Sequence, residues 1–311
     1  DGKQYDAPFK VRGGIQADYK AVRDKLGLYF EDEISIDKSF KLLLGARQDY
    51  VSFDFTDHQN SANSDDAAMS AFNLKLGTVY TYKQGQREDS GIYGNISQAF
   101  RAPTLGQMFT YGASNPDLKP EKAINYELGI RHNFSESYAG RLTAYWLDLD
   151  NEIWYDFSTT SYENYGKTNH RGIEAAFDAW FADSLKLFAT YTYTLTENET
   201  GTYEGKELAS VPNHSGMIGL NYMSKYGWGG RLSSRFVGTS YLDSANTGTL
   251  AAYSALDAKI LYKSEKMSFF TEITNLLDKE YSSYGYKLTS GTEYYSPVPG
   301  RTYSVGINCK L

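Results

Sequence analysis

His58, His132, His170 and His214 are the four histidines of the chain, and Cys309 is its one cysteine. His58 sits in the acidic stretch DHQNSANSDD, Asp57 to Asp66, where an Asp/His pair could activate a water for hydrolysis. Such chemistry needs a positioned base, a nucleophile and something to hold the developing charge. No HExxH, GxSxG or Walker pattern accompanies these residues, and no other spacing supplies the set. We therefore read all four histidines as structural and the chain as not an enzyme. Asp65 and Asp66 with loop carbonyls could ligate Ca²⁺, but the spacing characteristic of a calcium loop is missing, and the stretch reads as a polar loop tip. A lone cysteine excludes an internal disulfide and a multi-cysteine metal site. No cofactor is implied.

The elements that would position any site are strands. Phe40, Leu42, Leu44 and Ala46 share one phase, with Lys41, Arg47 and Asp49 on the other. Leu185, Leu187, Ala189, Tyr191, Tyr193 and Leu195 alternate with Lys186, Phe188, Thr190, Thr192 and Thr194. Leu256 to Tyr262 and Tyr303 to Leu311 alternate likewise. Apolar residues at three- and four-residue spacing, which a helix requires, are missing, so no helix is predicted. The pattern predicts strands over 25–36, 39–54, 69–83, 90–101, 122–134, 137–157, 165–181, 185–196, 212–223, 228–242, 252–263, 267–280 and 295–311, about 13 in all. Alternatively 8–20 holds one more, giving about 14.

The connections alternate in length. Short polar turns fall at Asp37-Lys38-Ser39, Gln84 to Asp89, Ser135-Glu136-Ser137, Asp183-Ser184, Ser224 to Gly227 and Ser264 to Lys266. Long loops fall at 54–69, 102–121, 150–168, 196–211, 243–252 and 281–296. One end of every hairpin is tight and the other elaborate, which is the form of a transmembrane antiparallel β-barrel with long loops outside. In such a barrel the apolar phase faces lipid. Leu187, Ala189, Ile260, Val305 and Ile307 are then expected on the exposed face, and Thr190, Lys259 and Ser304 in the lumen.

Composition agrees without deciding. Mean hydropathy is −0.52, and no run of 18 apolar residues could form a membrane helix. A barrel stays polar on average, because only alternate residues meet lipid. The 28 tyrosines among 311 residues suit interfacial girdles, though a secreted β-sandwich with surface tyrosines would share that composition. A net charge of −7 argues against a nucleic-acid partner. No signal peptide is visible at Asp1, which suggests a mature product or a fragment. We find no linker and read one domain, 1–311.

Five segments carry a more specific signal. The first reads SQAFRAPTLGQMF, then Asn115-Pro116-Asp117-Leu118-Lys119-Pro120-Glu121, then NYELGIR. Next come Asn169-His170-Arg171-Gly172-Ile173-Glu174, then Val211-Pro212-Asn213-His214. Asn275-Leu276-Leu277-Asp278-Lys279-Glu280-Tyr281 and Pro299-Gly300-Arg301-Thr302-Tyr303 complete the set. Pro116 and Pro120 fix φ and remove donors, so NPDLKPE is an ordered turn before a strand. In this order the segments resemble the barrel of TonB-dependent outer-membrane receptors from about residue 25 onward. The leading expectation is that the motifs serve barrel geometry. The chain ends Asn308-Cys309-Lys310-Leu311 where the family usually ends in an aromatic residue.

The resemblance implies a C-terminal portion of the barrel, with residues 1–23 an extracellular loop or partial strand. A plug domain, a TonB-contacting box and roughly nine strands of a roughly 22-stranded barrel would lie upstream. Unpaired edges cannot stand in lipid, so those strands are expected to exist. It also implies a receptor in the bacterial outer membrane, with partners in lipid and the TonB-ExbB-ExbD complex. The ligand would be a metal chelate, most often a ferric siderophore. Cobalamin, haem, a passive porin-like barrel and a barrel enzyme are the alternatives. A ferric chelate is compact and often aromatic, so rings and a few cations at the outer mouth would bind it. Candidates are Arg101, Phe109, Tyr111, Trp154, Tyr155, Tyr165, Tyr284, Tyr286, Tyr294 and Tyr295.

Overall fold

The computed structural model describes residues 2–5, 15–61, 64–85, 87–109, 115–156, 161–164 and 166–309. Among the described residues fourteen strands form one antiparallel sheet in sequence order. They are β1 (Gly2–Tyr5), β2 (Ile15–Ser35), β3 (Phe40–Asp57), β4 (Asp65–Lys83), β5 (Ser90–Arg101), β6 (Glu121–Ser135), β7 (Tyr138–Asp150), β10 (Lys167–Ala182), β11 (Leu185–Asn198), β12 (His214–Met223), β13 (Trp228–Val237), β16 (Tyr253–Lys263), β17 (Met267–Thr274) and β20 (Thr302–Cys309). Three two-stranded hairpins stand outside it: β8 (Ile153–Asp156) with β9 (Ser161–Asn164), β14 (Ser240–Tyr241) with β15 (Thr249–Leu250), and β18 (Ser282–Lys287) with β19 (Glu293–Pro297). Among the described residues β20 pairs with β17 and with neither β1 nor β2, so the sheet has two edges.

Several predicted strands were too long. The stretches 137–157, 228–242 and 295–311 break where the chain leaves the sheet, and their outer ends fall in the loop hairpins, while 267–280 stops as a strand at Thr274. Alternation continues into a hairpin, so periodicity alone does not mark the exit. The first long strand starts at Ile15, ten residues before the predicted start. The short turns and long connections alternate as expected, and every loop hairpin lies on a long connection.

Register carries the two phases from β20 across to β11. The row Ser304–Glu272–Lys259–Arg231–Asn221–Lys186 is polar. The row Tyr303–Ile273–Ala258–Leu232–Leu220–Leu187 is apolar. Ile260, Val305 and Ile307 are exposed, as predicted for a lipid face. Leu187 and Ala189 are half-buried instead, because Leu187 lies between Leu220 and Ala179 and Ala189 between Ile218 and Phe177. Thr190 and Ser304, assigned to the lumen, are also open to solvent, since the sheet does not close on itself among the described residues.

Two motif glycines have a packing reason. Tyr93 of β5 lies opposite Gly129 of β6, crosses over it, and meets Thr143 Oγ1 of β7 at 2.6 Å. Tyr145 of β7 crosses Gly172 of β10 and meets Thr194 Oγ1 of β11 at 2.8 Å. Each tyrosine ties three strands, and the glycine leaves room for the ring, as glycines shielded by cross-strand aromatics do. A Cβ on Gly172 would press into the Tyr193 carbonyl and lie 2.7 Å from the Tyr145 hydroxyl. Gly172→Ala is therefore expected to cost about 1–3 kcal/mol. Gly94, where a Cβ would meet nothing closer than 3.6 Å, is the control. Urea unfolding in detergent should separate the two variants; equal midpoints would refute this packing account.

Candidate functional site

The long-loop end contains both a small core and a cavity. The core forms where segment 102–120 folds back on the sheet. Among its described residues the segment contains one helical turn, α1 (Leu105–Phe109), where the alternation pattern predicts no helix. Thr104 and Gln107 cap it reciprocally: Gln107 N–H donates to Thr104 Oγ1 at 3.2 Å, and Thr104 N–H to Gln107 Oε1 at 2.8 Å. Met108 and Phe109 are buried with Val51, Phe53, Ala102, Leu118 and Ile153. The NPDLKPE turn closes the segment. Asn115 Oδ1 accepts the Asp117 N–H at 3.1 Å, and its Nδ2 donates to the Tyr162 carbonyl at 2.8 Å.

Charged side chains, of which Glu121 is buried, anchor the β8–β9 hairpin to this core. Arg101 donates through Nε and Nη2 to Glu121, whose Oε1 also accepts the Ile153 N–H at 2.7 Å. Glu152 accepts a hydrogen bond from the Thr168 hydroxyl at 2.6 Å, and His170 Nε2 lies 3.6 Å away. Burial works against the ionised Glu152, but His170, Thr168 and Arg101 together hold its carboxyl below the usual range.

The cavity measures about 470 Å³, a usual size for a small-ligand site. Four long connections line it. The β8–β9 hairpin presents Trp154 and Tyr155; segment 199–213 presents Tyr203; the β14–β15 connection presents Leu242 to Ala245 and Thr247; and the β18–β19 hairpin presents Tyr284, Tyr286 and Lys287. Cross-ties hold these walls together. Asn246 exchanges two hydrogen bonds with the Glu207 backbone, both 2.9 Å. Lys287 N–H donates to the Leu242 carbonyl at 3.1 Å. Asp243 accepts from the Thr247 N–H at 2.7 Å, from the Gly248 N–H at 3.2 Å and from the Thr247 hydroxyl. Burial would raise the Asp243 carboxyl; these bonds and nearby Lys287 outweigh it and hold the group below the usual carboxylate range. The Tyr284 phenol is pushed up by burial and by Tyr286, so it remains a donor at neutral pH.

The sequence-predicted residues divide. Trp154, Tyr155, Tyr284 and Tyr286 come together on the cavity wall. Tyr294 stacks behind Tyr286 at 5.0 Å, and the Tyr295 hydroxyl donates to Glu293 at 2.7 Å; neither lines the cavity. Phe109 is only 7% exposed and stacks on Phe55 at 4.8 Å, so it packs the loop core. Arg101 clamps Glu121 and the β8–β9 hairpin instead of facing the cavity. Tyr111 and Tyr165 lie outside the described residues. Tyr203, Asp243 and Lys287 were not predicted; of these, the D-x-x-x-T-G run after Leu242 was a readable capping-turn signal for Asp243.

The other motifs turn out to be fasteners. Asn275, at φ 52°, accepts the Lys279 N–H at 3.0 Å and donates to its carbonyl at 2.9 Å. Asp278 accepts the Arg301 N–H at 2.7 Å, which clasps NLLDKEY to the Pro-Gly-Arg entry of the last strand. Asn213 donates to Glu207 and Asn169 to Asp148. His132 and His214 pair with Tyr82 and Tyr191 at 2.8 and 2.7 Å. None of these residues lines the cavity. Among the described residues no three acidic, histidine or cysteine side chains gather as metal ligands.

Comparison with known proteins gives the arrangement a context. The iron-regulated outer membrane virulence protein of Vibrio cholerae is 26% identical over 86% of this chain and 43% of its own length. The probable TonB-dependent siderophore receptor PiuA of Acinetobacter baumannii is 26% identical over 97% of this chain and 43% of its own. The crystal structure of PiuA superposes with a TM-score of 0.76, covering 97% of this chain and 45% of that one at 20% identity. The vitamin B12 transporter BtuB of Photobacterium profundum is 28% identical over 61% of this chain and 32% of its own length. The chain thus spans less than half the length of these relatives. Residues 2–276 match the TonB dependent receptor-like β-barrel model, and the chain belongs to that family of outer-membrane β-barrels.

Proposed function

We propose that the chain is the C-terminal part of a receptor barrel for TonB-dependent uptake of a metal chelate, a ferric siderophore foremost. The long loops face the exterior and the short turns the periplasm. The observation that carries this reading is the cavity itself: rings from separate loops converge on one concave space at the elaborate end of the sheet. Aromatic faces and phenol donors orient a compact chelate without covalent chemistry. The two sheet edges would pair with further strands of the receptor, because an unpaired backbone costs several kcal/mol, roughly, per group in lipid. TonB-ExbB-ExbD would act through a region N-terminal to this chain. Cobalamin is the second reading, favoured by the likeness to BtuB.

Binding of iron(III) chelates to the receptor in detergent tests the site. Tyr284→Ala and Tyr286→Ala, made singly, are expected to include at least one loss of about 2 kcal/mol, roughly thirtyfold in Kd. Parent-like binding by both would move the site away from this cavity.

A further inference from the structure

The charge of the ligand can be read from the same cavity, and the inference rests on the receptor reading. Five aromatic residues line the space: Trp154, Tyr155, Tyr203, Tyr284 and Tyr286. Ring faces carry negative potential and attract a cation placed over them. Asp243 adds a carboxylate on the same wall. Among the described residues the one lining cation is Lys287, which stands against two carboxylates, Glu293 at 3.7 Å and nearby Asp243, and donates to the Thr247 carbonyl at 3.4 Å. A second cation at this end, Arg101, is neutralised by Glu121.

Three of the long connections extend the same sign, while 102–120 (Asp117, Lys119) and 275–301 (Asp278, Glu280 and Glu293 against Lys279, Lys287 and Arg301) are balanced. Asp54, Asp57, Asp65 and Asp66 stand in 54–66 with no lysine or arginine among them. Glu152, Asp156 and Glu163 stand likewise in 151–166. Glu199, Glu204 and Glu207 face only Lys206 in 199–213. A mouth with a net excess of one sign concentrates ligands of the opposite sign and repels its own.

We propose that this cavity selects a chelate bearing a positive charge, an ammonium group on an otherwise neutral iron(III) complex, and rejects anionic chelates. The ammonium enters the aromatic wall beside Asp243, and the metal core remains above it. A triply anionic complex would find no uncompensated cation among the described residues of the cavity wall and a net acidic approach.

A charge series on one scaffold tests this. A linear trishydroxamate–iron(III) complex carries +1 with its terminal amine free, 0 when the amine is acetylated and −1 when it is succinylated. Kd values for the three would be measured on the intact receptor in detergent at about 20 mM and about 500 mM salt. The expected order is +1 tightest and −1 weakest, about tenfold apart at low salt and converging at high salt. Asp243→Asn should reduce that ratio by about threefold or more. Equal binding of the three complexes, or tightest binding of the anion, overturns the charge preference and leaves the receptor reading standing. Binding of none of the three overturns the receptor reading for this chelate class, and the preference falls with it. A ratio unmoved by Asp243→Asn removes Asp243 from the recognition of the ammonium.

Discussion

Glu121→Ala should loosen the whole long-loop core. The carboxylate is 6% exposed, receives Arg101 twice and accepts the Ile153 N–H. Its removal strands a guanidinium and a buried amide together. Breaking a fully buried pair costs about 3–5 kcal/mol. The Arg101 side chain is half exposed, which lowers the expectation to about 2–3 kcal/mol. Local opening should then be roughly thirtyfold or more frequent. Protease added to intact cells reads this directly, since cleavage in the fast-reclosing limit follows the population of the open form. Faster nicking in 102–120 and 151–166, with the short turns untouched, is the expected outcome and also reports which end faces out. Unchanged nicking would mean that apolar packing alone holds the segment. Chelate affinity should fall as well, because Ile153 begins the strand that carries Trp154 and Tyr155 to the cavity.

Leu128→Arg tests the faces of the sheet. Leu128 is at the middle of β6, 64% exposed, and paired with Ala144 and Gly94 on the apolar phase. An arginine at the midplane on the lipid side costs about 2–4 kcal/mol. Asn125→Arg, three residues away on the other phase, replaces a side chain that already donates to Glu127 at 2.7 Å. It is expected to change stability by less than about 1 kcal/mol. Urea-dependent folding of the receptor into liposomes compares the two. Equal losses would show that the apolar phase does not face lipid.

Much of this was legible in the residues. Period-two alternation, short turns against long ones and five ordered motifs determined an antiparallel membrane sheet and its family. These signals are local: each strand needs only its own phase, and each motif its own prolines, glycines and asparagines. Thr104 and Gln107 are equally local, a capping box that starts α1. The roles of the loop residues were not local. Phe109 and Tyr286 look alike as aromatic residues on long connections. Phe109 is buried because segment 102–120 folds onto Val51 and Phe53, more than fifty residues earlier, whereas Tyr286 meets a cavity shared with Trp154 and Tyr203. Arg101 has the residue type and loop position of a ligand contact, but Glu121, twenty residues on, takes its guanidinium. Which ring packs and which ring binds depends on how long loops fold over one another, through contacts between residues far apart in the chain. The alternation pattern of this protein therefore determined its sheet and its two faces, and only the tertiary structure decided its site.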